Sequence, residues 1–437
     1  MVRSGGLALI LGILGCAGQE RSGPGFELAC FRADITPPVG HALCGGMVKP
    51  AERIADPLEA RGWILFGNEP PIVFAALDWT ELRNDAYDRW RAAIAEAAGT
   101  SPRRVLLSCV HQHDAPYADL EAQRLLDAHG LKGFHVDPEF HEAAVRKVAA
   151  AVKAAPRRRI THVGAGRAKV ENVACNRRVE VDGKVTFKRY SSTADPAIRN
   201  APEGTIDPWL RMITFWDGDQ PVASTSFYAV HPMSTYGKGA VSWDFPGAAR
   251  DRFEKETPGF HVYASGAAGD VTAARWNDGK DALAAKLHAA MTQAWRSTRR
   301  EPLVRAELRI SEVRFDAAGE ADPKVLADPR APKDKRLMHA LGISWTKRVA
   351  EGRPIDVAAL DLGAAQILLL PAESFVAFQL AAQTARMVAV AGYGECGPGY
   401  IPTEAARREG FVEEHGYTWV APGSEERLLA AIRAIIR

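Results

Sequence analysis

The chain has 437 residues, 47% of them hydrophobic and 25% charged, and a formal net charge of +2. Such values describe a globular protein with enough length for a sizeable core, either in two or three domains or in one large enzyme domain. The near-neutral balance gives no electrostatic footprint for nucleic acid, and the densest basic run, "PRRR" at 156–159, follows an Ala/Val-rich helical pattern and reads as a solvated helix end.

At the N-terminus Arg3 precedes the apolar segment "LALILGILG" (7–15), which ends at Cys16. It is too short to span a bilayer and is built like the h-region of a secretory signal. Ile13-Leu14-Gly15-Cys16 resembles a bacterial lipobox, so residues 1–16 read as a signal peptide with Cys16 as the lipidated residue and "AGQERSGPG" (17–25) as a tether. The alternative is a plain signal peptide cut near Ala17. Both imply export, to the periplasm or cell envelope or as a secreted protein; a lipid anchor would hold the chain at a membrane surface.

From Phe26 onward there is no low-complexity linker and no internal repeat, so 26–437 reads as one domain. Residues 60–79 read as two strands around the Gly67-Asn68 turn, 85–99 as a helix stopping at Gly99, and 103–110 as a strand. A helix follows over 139–155, then hairpins with Asp-Gly turns over 179–187 and 212–230. Next come a strand at 260–264, a helix at 280–297 and a strand at 303–315. The charged, Pro-bearing segment 316–355 shows little regular pattern and reads as a lid or surface excursion. A strand at 364–371, a helix at 373–386, a strand at 387–394 and a helix at 425–437 complete the series. The fold class is α/β: a single large mixed-sheet catalytic domain with flanking helices and several β-hairpins, its site at strand-end loops.

Apart from Cys16, the cysteines are Cys30, Cys44, Cys109, Cys175 and Cys396. Their spacing matches no CxxC metal pattern and their odd number makes no disulfide framework, although Cys30 and Cys44 would be free to pair after export. "GYGECG" (392–397) fits G-x-G-x-x-G, but Pro398, Gly399 and Pro402 prevent a helix from starting there. No G-x-S-x-G elbow occurs, since Ser265 in "YASGAAGD" lacks the preceding Gly, and no Walker-type loop is present.

What remains are polar residues at strand ends. His111 ends an apolar strand and His231 ends another; Glu373 follows "ILLLPAE", and Tyr400 lies in the Gly-rich loop after "VAVAGYGECGPG". Loops at strand ends are where α/β folds assemble their sites, and His, His, Glu and Tyr form a nitrogen/oxygen set suited to zinc. His113, two residues after His111 in an extended segment, points to the same side and suits a proton shuttle. Each residue also has a bland reading: His111 as a strand cap, Glu373 as an acid at a helix start.

In order along the chain, "RADITPPVGHALCGG" (32–46), "DPLEAR" (56–61), "HQHDAP", "NRR" (176–178), "FYAVHPMS", "GDVTAA" (269–274), "LPAESF" and "GYIPTEAARREG" resemble the catalytic domain of neutral/alkaline ceramidases, zinc amidases that hydrolyse the N-acyl bond of ceramide. The resemblance covers residues 28 to 415. It implies Zn2+ held by His111, His231, Glu373 and Tyr400, with His113 as general acid/base. It also implies Arg177 (or its neighbour Arg178) as a cation for substrate or oxyanion, with Thr272 and Tyr400 as further oxyanion or substrate contacts. The expected substrate is an N-acyl lipid or another small amide. Three departures surround the reaction centre: Asp114-Ala115 stands for the family's Ser-Gly, Thr272-Ala273-Ala274 for its Ser-Pro-Asn, and Phe411 near a second tyrosine of some members. An inward Asp114 would raise the pKa of His113, whereas an outward one is a turn residue. The competing readings are a metallohydrolase cleaving another amide or an ester, and a non-catalytic envelope protein that binds without turnover. A second metal near Asp270 or Asp244 is a further open expectation.

Overall fold

The strand Ile72–Leu77, "IVFAAL", is buried along its whole length. A continuous apolar run of this kind suits a strand covered on both faces and paired in parallel, and it pairs in parallel with Val105–Cys109. The same device recurs twice: Gln220–Tyr228 pairs in parallel with Phe260–Ser265, and Ala365–Leu369 with Met387–Ala391. A parallel pair needs a long crossover connection. The three crossovers carry the helices Asn84–Ala98, Asp244–Glu256 and Val376–Ala381. The computed structural model describes residues 1–2 and 25–437 apart from Asn68. The apolar segment, Cys16 and the tether through residue 24 therefore lie outside the described residues.

Each parallel pair edges one of three mixed sheets, whose remaining neighbours are antiparallel. The first has the order Val105–Cys109, Ile72–Leu77, Glu59–Phe66, Phe26–Asp34, Arg157–Ile160. The second runs Phe260–Ser265, Gln220–Tyr228, Trp209–Asp217, His162–Lys169, Arg299–Pro302. The third runs Glu307–Val313, Ile355–Asp361, Ala365–Leu369, Met387–Ala391. The three parallel edges meet: Cys109 N–H donates to Tyr393 O (3.0 Å), Gly392 N–H to Ser265 O (2.8 Å), and Ser265 Oγ to Val110 O (2.7 Å). Glycine is required at this junction, because a Cβ on Gly392 would sit 2.8 Å from Gly266 O. The C-terminal ends of strands from three sheets thus open onto one point. No repeat is visible in the residues, yet the topology repeats three times.

The first two sheets are cemented by aromatic packing. Trp63 stacks on Phe74 (5.4 Å) and meets Phe215 edge-on (5.1 Å), Phe74 meets Phe227, and the Trp63 indole N–H reaches Thr225 Oγ1 (3.1 Å). Around the third sheet a second core gathers Trp345, Trp419, Phe375 and Leu428.

Three sequence expectations are corrected. Segment 316–355 is no lid: Lys333–Ala350 is an 18-residue helix that buries Leu337, Ala340, Leu341 and Trp345. Its buried face also carries Arg336, His339 and Arg348, which masks the apolar periodicity. The helix expected over 373–386 shrinks to Val376–Ala381, because Glu373–Ser374 bridges in parallel to Tyr400–Ile401. The strand expected over 303–315 is shortened to Glu307–Val313, and a separate strand that was not expected, Arg299–Pro302, precedes it in a different sheet. The fold class stands: mixed α/β, with hairpins at Val179–Val181/Lys184–Thr186 and Trp209–Asp217/Gln220–Tyr228. No described helix is long and apolar enough to cross a membrane.

Asp361, at the end of a third-sheet strand, is 1% exposed and accepts hydrogen bonds from Arg309 Nη2 (2.8 Å), Arg386 Nη1 (3.1 Å) and Gly363 N–H (2.9 Å). Burial pushes its pKa up, but Arg386, the Gly363 N–H and Arg309 outweigh this and bring it to about 2. A folded pKa below the unfolded value of about 3.9 gives stability that is complete above pH ~4 and lost as pH falls toward ~2. Asp361→Asn is therefore expected to cost about 1–2 kcal/mol at neutral pH, solvent at the partly exposed arginines holding it below the full linkage value. Urea midpoints should show the gap between variant and wild type narrowing from about pH 7 to about pH 2.5.

Candidate metal centre

His111 stands two residues beyond the Val105–Cys109 strand with φ +71°, unusual for a residue with a Cβ. Its N–H is held by Trp79 O (3.0 Å), and its ring lies flat on Tyr393 (4.0 Å between centroids). Ala372 (φ +59°) and Tyr393 (φ +54°) share this backbone conformation, and Tyr393 N–H donates to Ala372 O (3.3 Å). Three strained positions in one interlocked set mark a place where the surroundings dictate side-chain direction. The result is that Glu373, directly after Ala372, turns inward, its N–H bonded to Gly399 O (3.0 Å).

His111 Nε2 lies 3.0 Å from His231 Nε2, and each lies 3.2 Å from Glu373 Oε2. The opposite ring nitrogens decide what these atoms are. His111 Nδ1 faces Thr80 O (2.9 Å) and His231 Nδ1 faces Ala268 O (2.9 Å). A carbonyl oxygen only accepts, so both Nδ1 atoms carry a proton, and both Nε2 atoms are turned toward Glu373. Burial, then the positive charge of Arg177, push the His231 pKa down to about 3, which keeps that ring neutral. Burial alone raises a carboxyl pKa, but the two imidazoles facing Glu373 hold it well below the usual carboxylate range, so it is ionised. Glu373 Oε2 has no hydrogen-bond donor. Two imidazole nitrogens and a carboxylate oxygen, buried together at 3.0–3.2 Å, form a donor set that could hold a metal ion. Tetrahedral donors about 2.0–2.1 Å from zinc lie roughly 3.3 Å from one another, so the triangle fits that ion, and the carbonyl-anchored Nδ1 atoms are the outer contacts ligating imidazoles make.

His113 is buried, a ring nitrogen lies within 4.8 Å of those of His111 and His231, and Nδ1 has no partner. Burial, followed by His111 and His231, lowers its pKa well below the ordinary value. Arg177 is 2% exposed; its Nη1 donates to Tyr400 OH (2.7 Å) and Gly269 O (2.9 Å), and Nε is buried without a partner. Arg178 instead pairs with Glu409 at the surface (2.6 Å), so only Arg177 faces the cavity. Tyr400 lies beside Glu373 through the Glu373↔Tyr400 bridge, its hydroxyl bound by Arg177. Thr272 pairs with Cys175 and its hydroxyl meets Ser191 Oγ (3.2 Å); it does not line the cavity.

The departures also resolve. Asp114 is 1% exposed and accepts from Gly237 N–H (2.8 Å), so it is neither a solvent-facing turn residue nor a partner of His113. It anchors the loop that carries Tyr236, whose ring stands edge-on to His113 (5.7 Å). Phe411 packs edge-on against Tyr400 (5.3 Å), and the hydroxyls on that wall come from Tyr417 and Tyr190. Asp270 receives Asn176 Nδ2 and Val376 N–H (both 2.8 Å), and Asp244 receives Ser234 N–H (2.8 Å), so both acids clamp structure. Cys30 and Cys44 are separate free thiols.

Two contributors were missed in the sequence. Tyr393 is the platform under His111. Glu81, 1% exposed, follows the buried Ile72–Leu77 strand just as Glu373 follows Ala365–Leu369, and with His111 and Glu373 it forms a second close group of donor atoms. Burial, then the charge on Glu373, push the Glu81 pKa well up. The same strand-end signal that singled out Glu373 was available for it. The cavity above these residues holds about 350 Å³ and combines Glu81, His113, Arg177 and Tyr417 with the apolar Met47 and Met233.

No protein-family model matches the chain, and no curated protein does. Among solved structures it is similar to neutral ceramidase from Pseudomonas aeruginosa, with 17% identity and a TM-score of 0.67 over 95% of this chain and 75% of that one. A ceramidase complexed with C2 gives 18% identity and a TM-score of 0.68 over 94% and 74%. The likeness is one of fold: the described chain has the architecture of neutral ceramidase along nearly its whole length, as the ordered motifs led one to expect.

Proposed function

We propose that the chain is a zinc-dependent amidohydrolase that cleaves the N-acyl amide bond of a lipid-like substrate. The observation that carries this reading is the triangle of His111 Nε2, His231 Nε2 and Glu373 Oε2, three buried donor atoms held 3.0–3.2 Å apart. His111, His231 and Glu373 would hold the ion, with Tyr400 beside Glu373 as the candidate fourth ligand. Bound zinc supplies Lewis-acid polarisation of an amide carbonyl and a water acidified toward a pKa of ~7.

The chain's own residues do the rest. His113, neutral at pH 7, removes a proton from the attacking water and returns it to the departing amine nitrogen. Arg177, charged and fixed by Gly269 O and Tyr400 OH, faces the negative charge that builds on the amide oxygen. Met47, Met233 and Tyr236 give the acyl chain an apolar wall and reduce water around the reacting atoms. A decayed, binding-only protein would have no reason to keep His113 buried without a partner. The N-terminal Arg3, apolar 7–15 and Cys16 support export with a lipid anchor, which would bring the cavity to a membrane surface where N-acyl lipids reside.

The test combines metal analysis of the purified protein with mass-spectrometric assay on N-acyl lipids and their ester counterparts, His111→Ala serving as control. Stoichiometric zinc and amide cleavage lost in the variant are expected. A metal-free but active wild type, or turnover indifferent to His111→Ala, sinks the reading; preferential ester cleavage moves the bond but keeps the centre.

A further inference from the structure

A larger cavity, about 990 Å³, opens between the second sheet and the turn at 383–387 that leads into Met387–Ala391, and it shares no lining residue with the cavity over the metal centre. Its sheet wall carries a row of arginines set by strand register. Arg211 and Arg167 are direct cross-strand partners, and Arg299 pairs with Ala165, two residues from Arg167. Residues directly opposite, or two apart in one strand, share a face, so all three guanidinium groups stand on one side of the sheet. Like charges placed opposite each other destabilise a sheet unless something neutralises them. Here the chain does so only in part. Arg211 is paired with Asp207 (2.6 Å), whereas Arg167 lies over the Trp209 ring (4.6 Å), and neither Arg167 nor Arg299 has an ion-pair partner among the described residues.

Arg211 is the anchor of this wall. It is 5% exposed, with Nη1 held by Asp207 Oδ2 and by Trp209 O (3.3 Å). Its Nε and Nη2 make no hydrogen bond among the described residues, and what the residue exposes opens into the cavity. Those two atoms form the edge of a guanidinium that takes both oxygens of a carboxylate at once. The charge count sets the valence of the ligand. Arg386 also lines the cavity but is committed to Asp361 (3.1 and 3.2 Å). Arg167, Arg211 and Arg299 then face Asp207 and Glu301, three cations against two carboxylates, which leaves one positive charge. A carboxylate matches that surplus, whereas a phosphate monoester carries about −2. On the other wall Leu380, 36% exposed, and Met387 present apolar surface that suits an alkyl chain.

We propose that this cavity is a second ligand site that takes a long-chain carboxylic acid, its carboxylate on the free edge of Arg211, with Arg167 and Arg299 adding attraction and Leu380 and Met387 receiving the chain. The site goes beyond the amidohydrolase reading and does not depend on it.

Calorimetric titration of the full chain with decanoate, decyl phosphate, decanol and decyltrimethylammonium, each below its micellar concentration, tests this. Decanoate should bind, and decanol should bind more weakly by on the order of 30-fold, the range for hydrogen bonds to a charged group. The ammonium should not bind. Arg211→Gln should weaken decanoate by a similar factor. Because that variant leaves Asp207 buried without its cation, Arg167→Ala/Arg299→Ala, which alters two exposed side chains, gives a second reading. It should show about 5-fold weaker binding and a flatter salt dependence. His111→Ala should retain the binding event. Absence of decanoate binding, decanol binding as tight as decanoate, tighter binding of decyl phosphate, or affinity unchanged in both arginine variants overturns the proposal. So does binding lost altogether in His111→Ala, which would place the carboxylate at the metal centre.

Discussion

His113→Ala is expected to keep zinc at the wild-type stoichiometry while lowering kcat by about 10²- to 10⁴-fold, the range for loss of a positioned general acid/base. His231→Ala should remove metal and activity together. The contrast follows from what each ring does with its nitrogens. The imidazole of His231 is fixed at both ends, Nδ1 on Ala268 O and Nε2 in the triangle with His111 and Glu373. Removing it leaves His111 and Glu373 with only the phenol of Tyr400 beside them, too weak a set to hold an ion against water. His113 is fixed by packing alone: its ring stands 4.8 Å from His111 and 5.7 Å from Tyr236, and neither nitrogen has a hydrogen bond among the described residues. Such a nitrogen is free to take and release a proton. Metal analysis beside steady-state kinetics reads both outcomes. Zinc loss in His113→Ala would reassign that residue as a ligand, since its nitrogen also lies within 4.8 Å of those of His111 and His231.

Much of this centre was legible in the sequence because one local pattern, an apolar run ending in a polar residue, marks the mouths of buried strands. That pattern located His111, His231 and Glu373 and the strands that carry them. Which strands lie side by side was not legible, because pairing between residues 73 and 105, or 369 and 391, leaves no local trace. Glu81 carried the same local signal but was masked by a neighbour: Asp78 precedes it as an equally plausible strand-end acid, and only the fold shows Asp78 spent on Arg250 (2.7 Å). The inward turn of Glu373 was hidden as well. It depends on a positive φ at Ala372, and alanine gives no sign of that conformation where glycine or asparagine would. Tyr393 was invisible as a platform for the same cause. The helix Lys333–Ala350 was lost to its own buried charges: Arg348 reaches Asp88 (2.8 Å) and Arg336 reaches Leu326 O (2.8 Å), contacts that make a charged face a packed one.

Arg177→Lys should lower kcat by on the order of 10²-fold, leaving KM and zinc content near wild type, as expected when a donor acts on charge that exists only in the transition state. Arg177 is buried with its Nη1 already committed to Gly269 O and Tyr400 OH, so its position is set before any substrate arrives. Its buried Nε has no partner, so the guanidinium keeps unused donor capacity inside the protein. A lysine carries the charge but not the fork: its point-like ammonium can replace the contact to Tyr400 or face the substrate, and not both in fixed geometry. Tyr400 makes the loss more than local. Without the guanidinium, its buried hydroxyl loses the hydrogen bond that orients it beside Glu373, so the ligand wall loosens where the reacting carbonyl must sit. The split between kcat and KM separates this role from simple substrate binding, which would raise KM and spare kcat. A variant that binds zinc, melts at the wild-type temperature and still turns over at the wild-type rate would remove Arg177 from the chemistry and leave it a scaffold for Tyr400.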